Sequence, residues 1–284
     1  MTPTPRACLS VKPLTPSLGA EISGVDLGEQ LAADVAEEVR EAFARYHVLF
    51  FRDQVVTHEQ HIAFGKLFGP LDVIPIKRAN HREHPELLVV RADANSKFVV
   101  GEDWHSDMTC LSEPPLASAL YLETVPPVGG DTVFANVHAA YDALSEPLRE
   151  FLSGLSAFHT AAKGWDGYGV DIDPKSIPTA SHPVICQHPG SGRPYLAVNE
   201  GFTTHIEGIE RGLSDAILGF LFRHVTHPRF GCRFTWTPRT MVLWDNYALQ
   251  HHAVWDYYPQ VRSGHRVTIK GGRPLAASPV FTGR

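Results

Sequence analysis

Between residues 87 and 270 the chain is divided into short β-prone runs that proline and glycine keep from lengthening. Residues 87–93 (LLVVRAD), 118–125 (SALYLETV) and 131–136 (DTVFAN) are rich in branched and aromatic side chains, which fit a pleated surface. Pro126-Pro127 and Gly129-Gly130 separate the last two. Residues 183–199 read as a hairpin turning at Pro189-Gly190-Ser191-Gly192, and 232–236, 240–246 and 266–270 add three strands. Strands this short cannot each bury a face alone, so they must pair into sheets that face one another.

Upstream, 19–24 and 47–53 read as strands. Residues 32–45 carry Val35, Val39 and Phe43 at helical spacing, and Thr57 with Gln60 forms a capping box for a helix through about Leu67. Residues 137–153 and 213–225 are further amphipathic helices. The expected fold is mainly β with flanking helices, around a jelly-roll (double-stranded β-helix) core that encloses a pocket. With no internal repeat or low-complexity linker, residues 1–284 read as one domain.

Composition narrows the function classes. The net charge of -6 and the scattered Lys and Arg argue against a nucleic-acid partner, which leaves a basic stripe. No run approaches the ~18 apolar residues of a membrane helix, and the N-terminus has no secretory pattern, so a cytoplasmic protein is expected. Cys8, Cys110, Cys186 and Cys232 form no CxxC pair, which suits a reducing compartment. Histidine stands out at 16 residues.

The most informative segment is GEDWHSDMTC, residues 101–110. His105 and Asp107 are two apart, so on an extended chain both side chains share a face and can share a cation. Downstream, His251 offers a third ligand, although His252 is adjacent and alternation lets only one of the two face a metal. Two histidines and one carboxylate make the facial triad of non-haem Fe(II) oxygenases. Alone, His-x-Asp is more often a surface hydrogen bond. Arg262 strengthens the case: it lies eleven residues after His251 (262 − 251 = 11), on the expected next strand, antiparallel and beside the histidine. Its guanidinium can grip the far carboxylate of a dicarboxylic co-substrate. Arg266, four further on and on the same face, could hold a second anion. A zinc hydrolase could use the same three ligands but has no need of Arg262.

The stretches LGAEISGVDL, WHSDMT, PPVGGDTVFAN, HPVICQHPGSGRPYLAVNEGFT and LWDNYALQHHAVWDY together resemble the taurine dioxygenase family, which includes the aryloxyalkanoate dioxygenases. The resemblance implies Fe(2+) and 2-oxoglutarate as cofactors, with His105, Asp107 and His251 as iron ligands and His252 in a variable slot. It implies that Thr132 and Arg262 hold the distal carboxylate of 2-oxoglutarate, and that Arg266 faces the anionic end of the substrate. The expected reaction oxidises a C–H bond of a small carboxylate, sulfonate or sulfate ester with dioxygen, releasing succinate and CO2. Desaturation, or a non-catalytic sensor on the same scaffold, are the alternatives. Family members are often dimers or tetramers, so the resemblance leaves room for a homo-oligomer, while the residues themselves do not give the oligomeric state.

The substrate pocket departs from the taurine enzymes. Ile74 and Lys77 stand where those carry His and Tyr, Gly101 where they carry Asn, and Trp165 where they carry Phe. Ile74, Trp165 and Phe202 would make a more apolar pocket, suited to an aryl or alkyl acid.

Overall fold

The strand Thr240–Asp245 is buried along its whole length, which is why its sequence TMVLWD is apolar on both faces. Alternation splits it: Met241 and Leu243 join the cluster beneath the helices, while Val242 and Trp244 face the interior. It pairs antiparallel with Val48–Phe51 on one side and Ala117–Thr124 on the other. The structure is a computed structural model and describes residues 9–73, 80–99, 101–165 and 176–278, with Gly164 and Trp165 described for their backbone alone.

The main sheet runs Ser10–Pro13, Ala20–Ser23, Val48–Phe51, Thr240–Asp245, Ala117–Thr124, Arg262–Ile269 and Leu71–Asp72, and Leu87–Ala92 also pairs with Arg262–Ile269. Two helices cover its outer face. Ala33–Tyr46 buries Val39, Ala42 and Phe43 against it. His58–Lys66 begins with the expected capping box: Gln60 N donates to Thr57 Oγ1 at 3.3 Å and Thr57 N to Gln60 Oε1 at 2.7 Å.

The inner face looks onto a second sheet, ordered Gly231–Phe234, Thr132–Asn136, Leu249–Ala253. Phe50 from the main sheet stacks on Phe234 at 3.8 Å and meets Phe134 edge-on at 5.7 Å. Val48, Leu120, Leu122 and Leu249 complete this layer. Two three-stranded sheets flank it: Ser156–Thr160 between Thr203–Ile206 and Thr179–Pro183, and Ile185–Gln187 between Pro194–Leu196 and Leu275–Ala276. The expected jelly-roll architecture is present, with helices outside.

Three local expectations are corrected. The helix expected over 137–153 is two, Val137–Asp142 and Glu146–Leu152. Pro147 sits in the first turn of the second, where its missing N–H costs nothing, and it starts a new helix instead of continuing the old one. The strand expected over 266–270 begins at Arg262. Most consequentially, Arg262 does not lie on a strand beside that of His251: Leu249–Ala253 and Arg262–Ile269 belong to opposing sheets. The two residues meet across the interior.

Candidate metal and co-substrate site

One ligand atom each from His105, Asp107 and His251 lie within 4.8 Å of one another, and all three residues are buried. The backbone makes this convergence. His105 and His251 form an antiparallel bridge, with His105 N donating to His251 O at 3.0 Å and His251 N to His105 O at 2.8 Å. Their ring centres are 4.2 Å apart. Asp107 returns to the same side, its Oδ1 3.8 Å from His105 Nε2. Met108 then takes a left-handed backbone, φ 51°, and turns the chain away.

Neighbours orient His105 and Asp107, while His251 Nδ1 is buried with no hydrogen-bond partner. His105 Nδ1 lies 2.7 Å from the Asp103 carbonyl, so this nitrogen carries the proton and Nε2 keeps its lone pair. Ser118 Oγ donates to Asp107 Oδ2 at 2.9 Å, and Arg266 Nη1 donates to Oδ1 at 2.8 Å. Asn246 clamps the Asp107 backbone both ways, accepting from its N at 2.6 Å and donating to its O at 2.9 Å. Burial by itself would raise the Asp107 carboxyl. The charges of Arg266, His251 and His105 and the Ser118 bond outweigh it and hold the group well below the usual carboxylate range. Burial, reinforced by His105, holds His251 well below the ordinary histidine value, so its ring is neutral. His252 points elsewhere: half-buried, it stacks on Trp104 at 5.6 Å.

The second anchor is a cationic niche. Arg262 is 5 % exposed, and its Nε has no hydrogen-bond partner. Burial lowers its pKa, and among the described residues no carboxylate pairs with it. Its guanidinium carbon lies 5.2 Å from the centre of the Trp236 ring. The same indole donates from Nε1 to Thr132 Oγ1 at 3.0 Å, which leaves the Thr132 hydroxyl proton to be given elsewhere. Thr132 and Arg262 are thus tied to one aromatic ring, Arg262 on the main sheet and Thr132 on the facing one. An unpaired, dry guanidinium beside a free hydroxyl donor suits a carboxylate.

Other expectations have mixed outcomes. Phe202 packs edge-on against His105 at 6.2 Å and lines the site. Arg266 reaches it as well, but one arm is engaged with Asp107, and its Nε is buried without a partner. Ile74 and Lys77 lie outside the described residues, as does the Trp165 side chain; the Trp165 backbone ends a short helix, Ala162–Trp165. Gly101 has φ 91°, and a Cβ there would sit 3.1 Å from the His105 ring, so this loop presses its backbone onto a candidate ligand. Sequence reasoning missed Ser118, Asn246 and Trp236. Asn246 lies within the LWDNYALQHHAVWDY stretch, but nothing in the sequence couples Ser118 to Asp107 or Trp236 to Thr132.

The donors present fit the group that such a site implies. Two imidazoles and a carboxylate on one side of a cation suit iron(II) and leave the other side for ligands.

Comparison with known proteins gives the family. The profile of the family described as "Taurine catabolism dioxygenase TauD, TfdA family" matches residues 10–268. The chain is similar to an alpha-ketoglutarate-dependent sulfate ester dioxygenase of Pseudomonas putida, 34% identical over 94% of this chain and 91% of that one. It is also similar to an alpha-ketoglutarate-dependent 2,4-dichlorophenoxyacetate dioxygenase of Cupriavidus pinatubonensis, 32% identical over 84% and 90% of the two chains. Among solved structures, a taurine dioxygenase from Burkholderia xenovorans superposes with a TM-score of 0.84 at 35% identity, covering 95% of this chain and 92% of that one. The chain belongs to the taurine dioxygenase (TauD/TfdA) family of iron(II)- and 2-oxoglutarate-dependent dioxygenases.

Proposed function

We propose that this dioxygenase oxidises a C–H bond of a small organic anion bearing a sulfate ester, sulfonate or carboxylate group. The observation that carries this reading is the pair of guanidiniums on one face of one strand, buried Arg262 and partly buried Arg266, each with a buried, unpartnered Nε. One anion occupies each. Relatives named for sulfate ester and 2,4-dichlorophenoxyacetate oxidation support an anionic substrate.

In this reading His105, Asp107 and His251 hold iron(II), and Arg262 with Thr132 holds the distal carboxylate of 2-oxoglutarate. When bound, iron and 2-oxoglutarate supply the oxidising power: one atom of dioxygen ends in succinate with loss of CO2, the other in the product. The chain's own work is positioning. Ser118 and Asn246 fix Asp107, the Asp103 carbonyl fixes the His105 tautomer, and Trp236 orients the Thr132 hydroxyl. Arg266 Nε receives the substrate's anionic group while Phe202 packs against its carbon skeleton. Hydroxylation beside a sulfate ester oxygen yields an unstable adduct that collapses to an aldehyde and sulfate; beside a sulfonate the leaving group is sulfite.

The test is succinate formation from 2-oxoglutarate with Fe(II), ascorbate and air, across sulfate esters, sulfonates, aryloxyalkanoates and simple carboxylates. One anionic class should raise succinate well above background, and Arg262→Ala and His251→Ala should abolish it. Turnover equally stimulated by uncharged analogues would sink the anionic reading while leaving the cofactor chemistry intact.

A further inference from the structure

Four imidazoles meet at a second place in the molecule, on the outer side of the main sheet. His58 is the first residue of the helix His58–Lys66, His81 and His84 precede the strand Leu87–Ala92, and His265 stands on Arg262–Ile269. The His58 ring lies 4.6 Å from that of His81, 5.5 Å from His84 and 4.6 Å from His265. One ring nitrogen each from His58, His81 and His84 fall within 4.8 Å of one another, and all three are half-buried. Among the described residues this is the second group with metal-binding geometry, and it is separate from the His105, Asp107 and His251 group.

We propose that His58, His81 and His84 form a second divalent-metal site, closed on its third side by His265, that takes a borderline-soft cation such as Zn2+. Imidazole is a preferred ligand of Zn, Cu and Ni, and three neutral rings bring no charge repulsion until protonated. His84 Nε2 lies 3.2 Å from Glu59 Oε1, a carboxylate–histidine pairing of the kind that orients ligands around zinc and leaves Nδ1 as the lone-pair side. His81 Nδ1 meets the amides of Glu83 and His84 at 3.3 Å, the long end of hydrogen bonding, so a cation competes for this ring against two weak contacts. Zn–N bonds of about 2.0 Å require ligand atoms about 3.3 Å apart, so the rings must close by up to about 1.5 Å. Side chains at this depth do that by rotation. The bound cation would tie the start of the helix to the segment entering Leu87–Ala92, next to the strand that carries Arg266.

The test uses the full chain, stripped with chelator, on a His105→Ala/His251→Ala background that removes the first site. Zn2+ titrated by calorimetry should still bind with one equivalent, and adding His58→Ala/His84→Ala should weaken it at least thirtyfold. His81→Gln, with Co2+ absorption as a second readout and circular dichroism as the folding control, tests the same site independently. The proposal is overturned if the triad-deleted protein binds no Zn2+, or if its Zn2+ is indifferent to both sets of histidine changes.

Discussion

Replacing Arg262 with Met separates the two things a buried charge does. In the free protein the guanidinium is dry and unpaired by any carboxylate among the described residues; burial lowers its pKa, Tyr257 offsets this in part, and the Trp236 face is a favourable partner. A desolvated cation–π contact contributes about 2 kcal/mol, while the penalty for drying an ion is several kcal/mol. Arg262→Met keeps length and volume and removes the charge. The variant without ligand should therefore be as stable as the wild type or up to about 2 kcal/mol more stable. Binding moves the other way. Losing one partner of a buried, hydrogen-bonded charge pair costs about 2–5 kcal/mol, so 2-oxoglutarate should bind about 30- to 5000-fold more weakly. The assays are urea unfolding without ligand and anaerobic calorimetry with Fe(II) and 2-oxoglutarate. Pyruvate, which has the keto acid but no distal carboxylate, is the control and should bind both proteins alike. The reasoning fails if 2-oxoglutarate affinity changes less than threefold, or if the ligand-free variant loses more than about 2 kcal/mol with its denaturant slope unchanged.

Other perturbations test neighbouring parts of the structure. Ser118→Ala frees Asp107 Oδ2 and should lower Fe(II) affinity by about 10- to 100-fold with circular dichroism unchanged; an unaltered affinity would mean the serine only packs. His159 and His138 are buried, and burial first of all lowers their pKa values to about 3 and about 4, so both are neutral in the folded protein. The unfolded chain takes up those protons near pH 6.5, so stability present above pH 6.5 is lost as pH falls toward 4. At pH 5.5 each histidine costs about 1.4 kcal/mol, and urea unfolding at pH 7.5 and 5.5 should differ by about 3 kcal/mol from this pair. His159→Gln should remove about half of that difference. Phe50→Ala, which empties the stack on Phe234, should cost about 3–5 kcal/mol, and a loss below 1 kcal/mol would show that the two facing sheets close over the gap.

The candidate ligand set was legible because it depends on short spacings along extended chain. His105 and Asp107 share a face by alternation, and alternation likewise separates His251 from His252. Spacing could also put Arg262 and Arg266 on one face, but not say which sheet that face belongs to. A jelly roll sends consecutive strands to opposite sheets, so Arg262 meets His251 across the interior and not from an adjacent strand. Trp236, Ser118 and Asn246 were invisible for a related reason. Each acts on a residue supplied by a distant segment, and an indole or a serine hydroxyl carries no local mark of its partner. The strands Ser156–Thr160, Thr179–Pro183 and Thr203–Ile206 went unnoticed because SAFHT, TASHP and TTHI hold too few apolar residues to show a period. The helix over 137–153 looked continuous because its apolar spacing runs through the break that Pro147 marks.

The strand Arg262–Ile269 works as an indexed part. Its even-numbered positions through Arg266 look into the site, while Val267 and Ile269 belong to the helix-covered side. A slip of one residue would turn both arginines out of the interior and drive apolar side chains in. Gly264 guards against this: its partner strand changes register beside it, and a Cβ at this position would run into the Tyr121 carbonyl oxygen. Only this residue can occupy that notch, so the notch can be engaged in one setting. The distance between the two guanidiniums is thereby set by a missing methyl group, on a strand whose other face belongs to the scaffold.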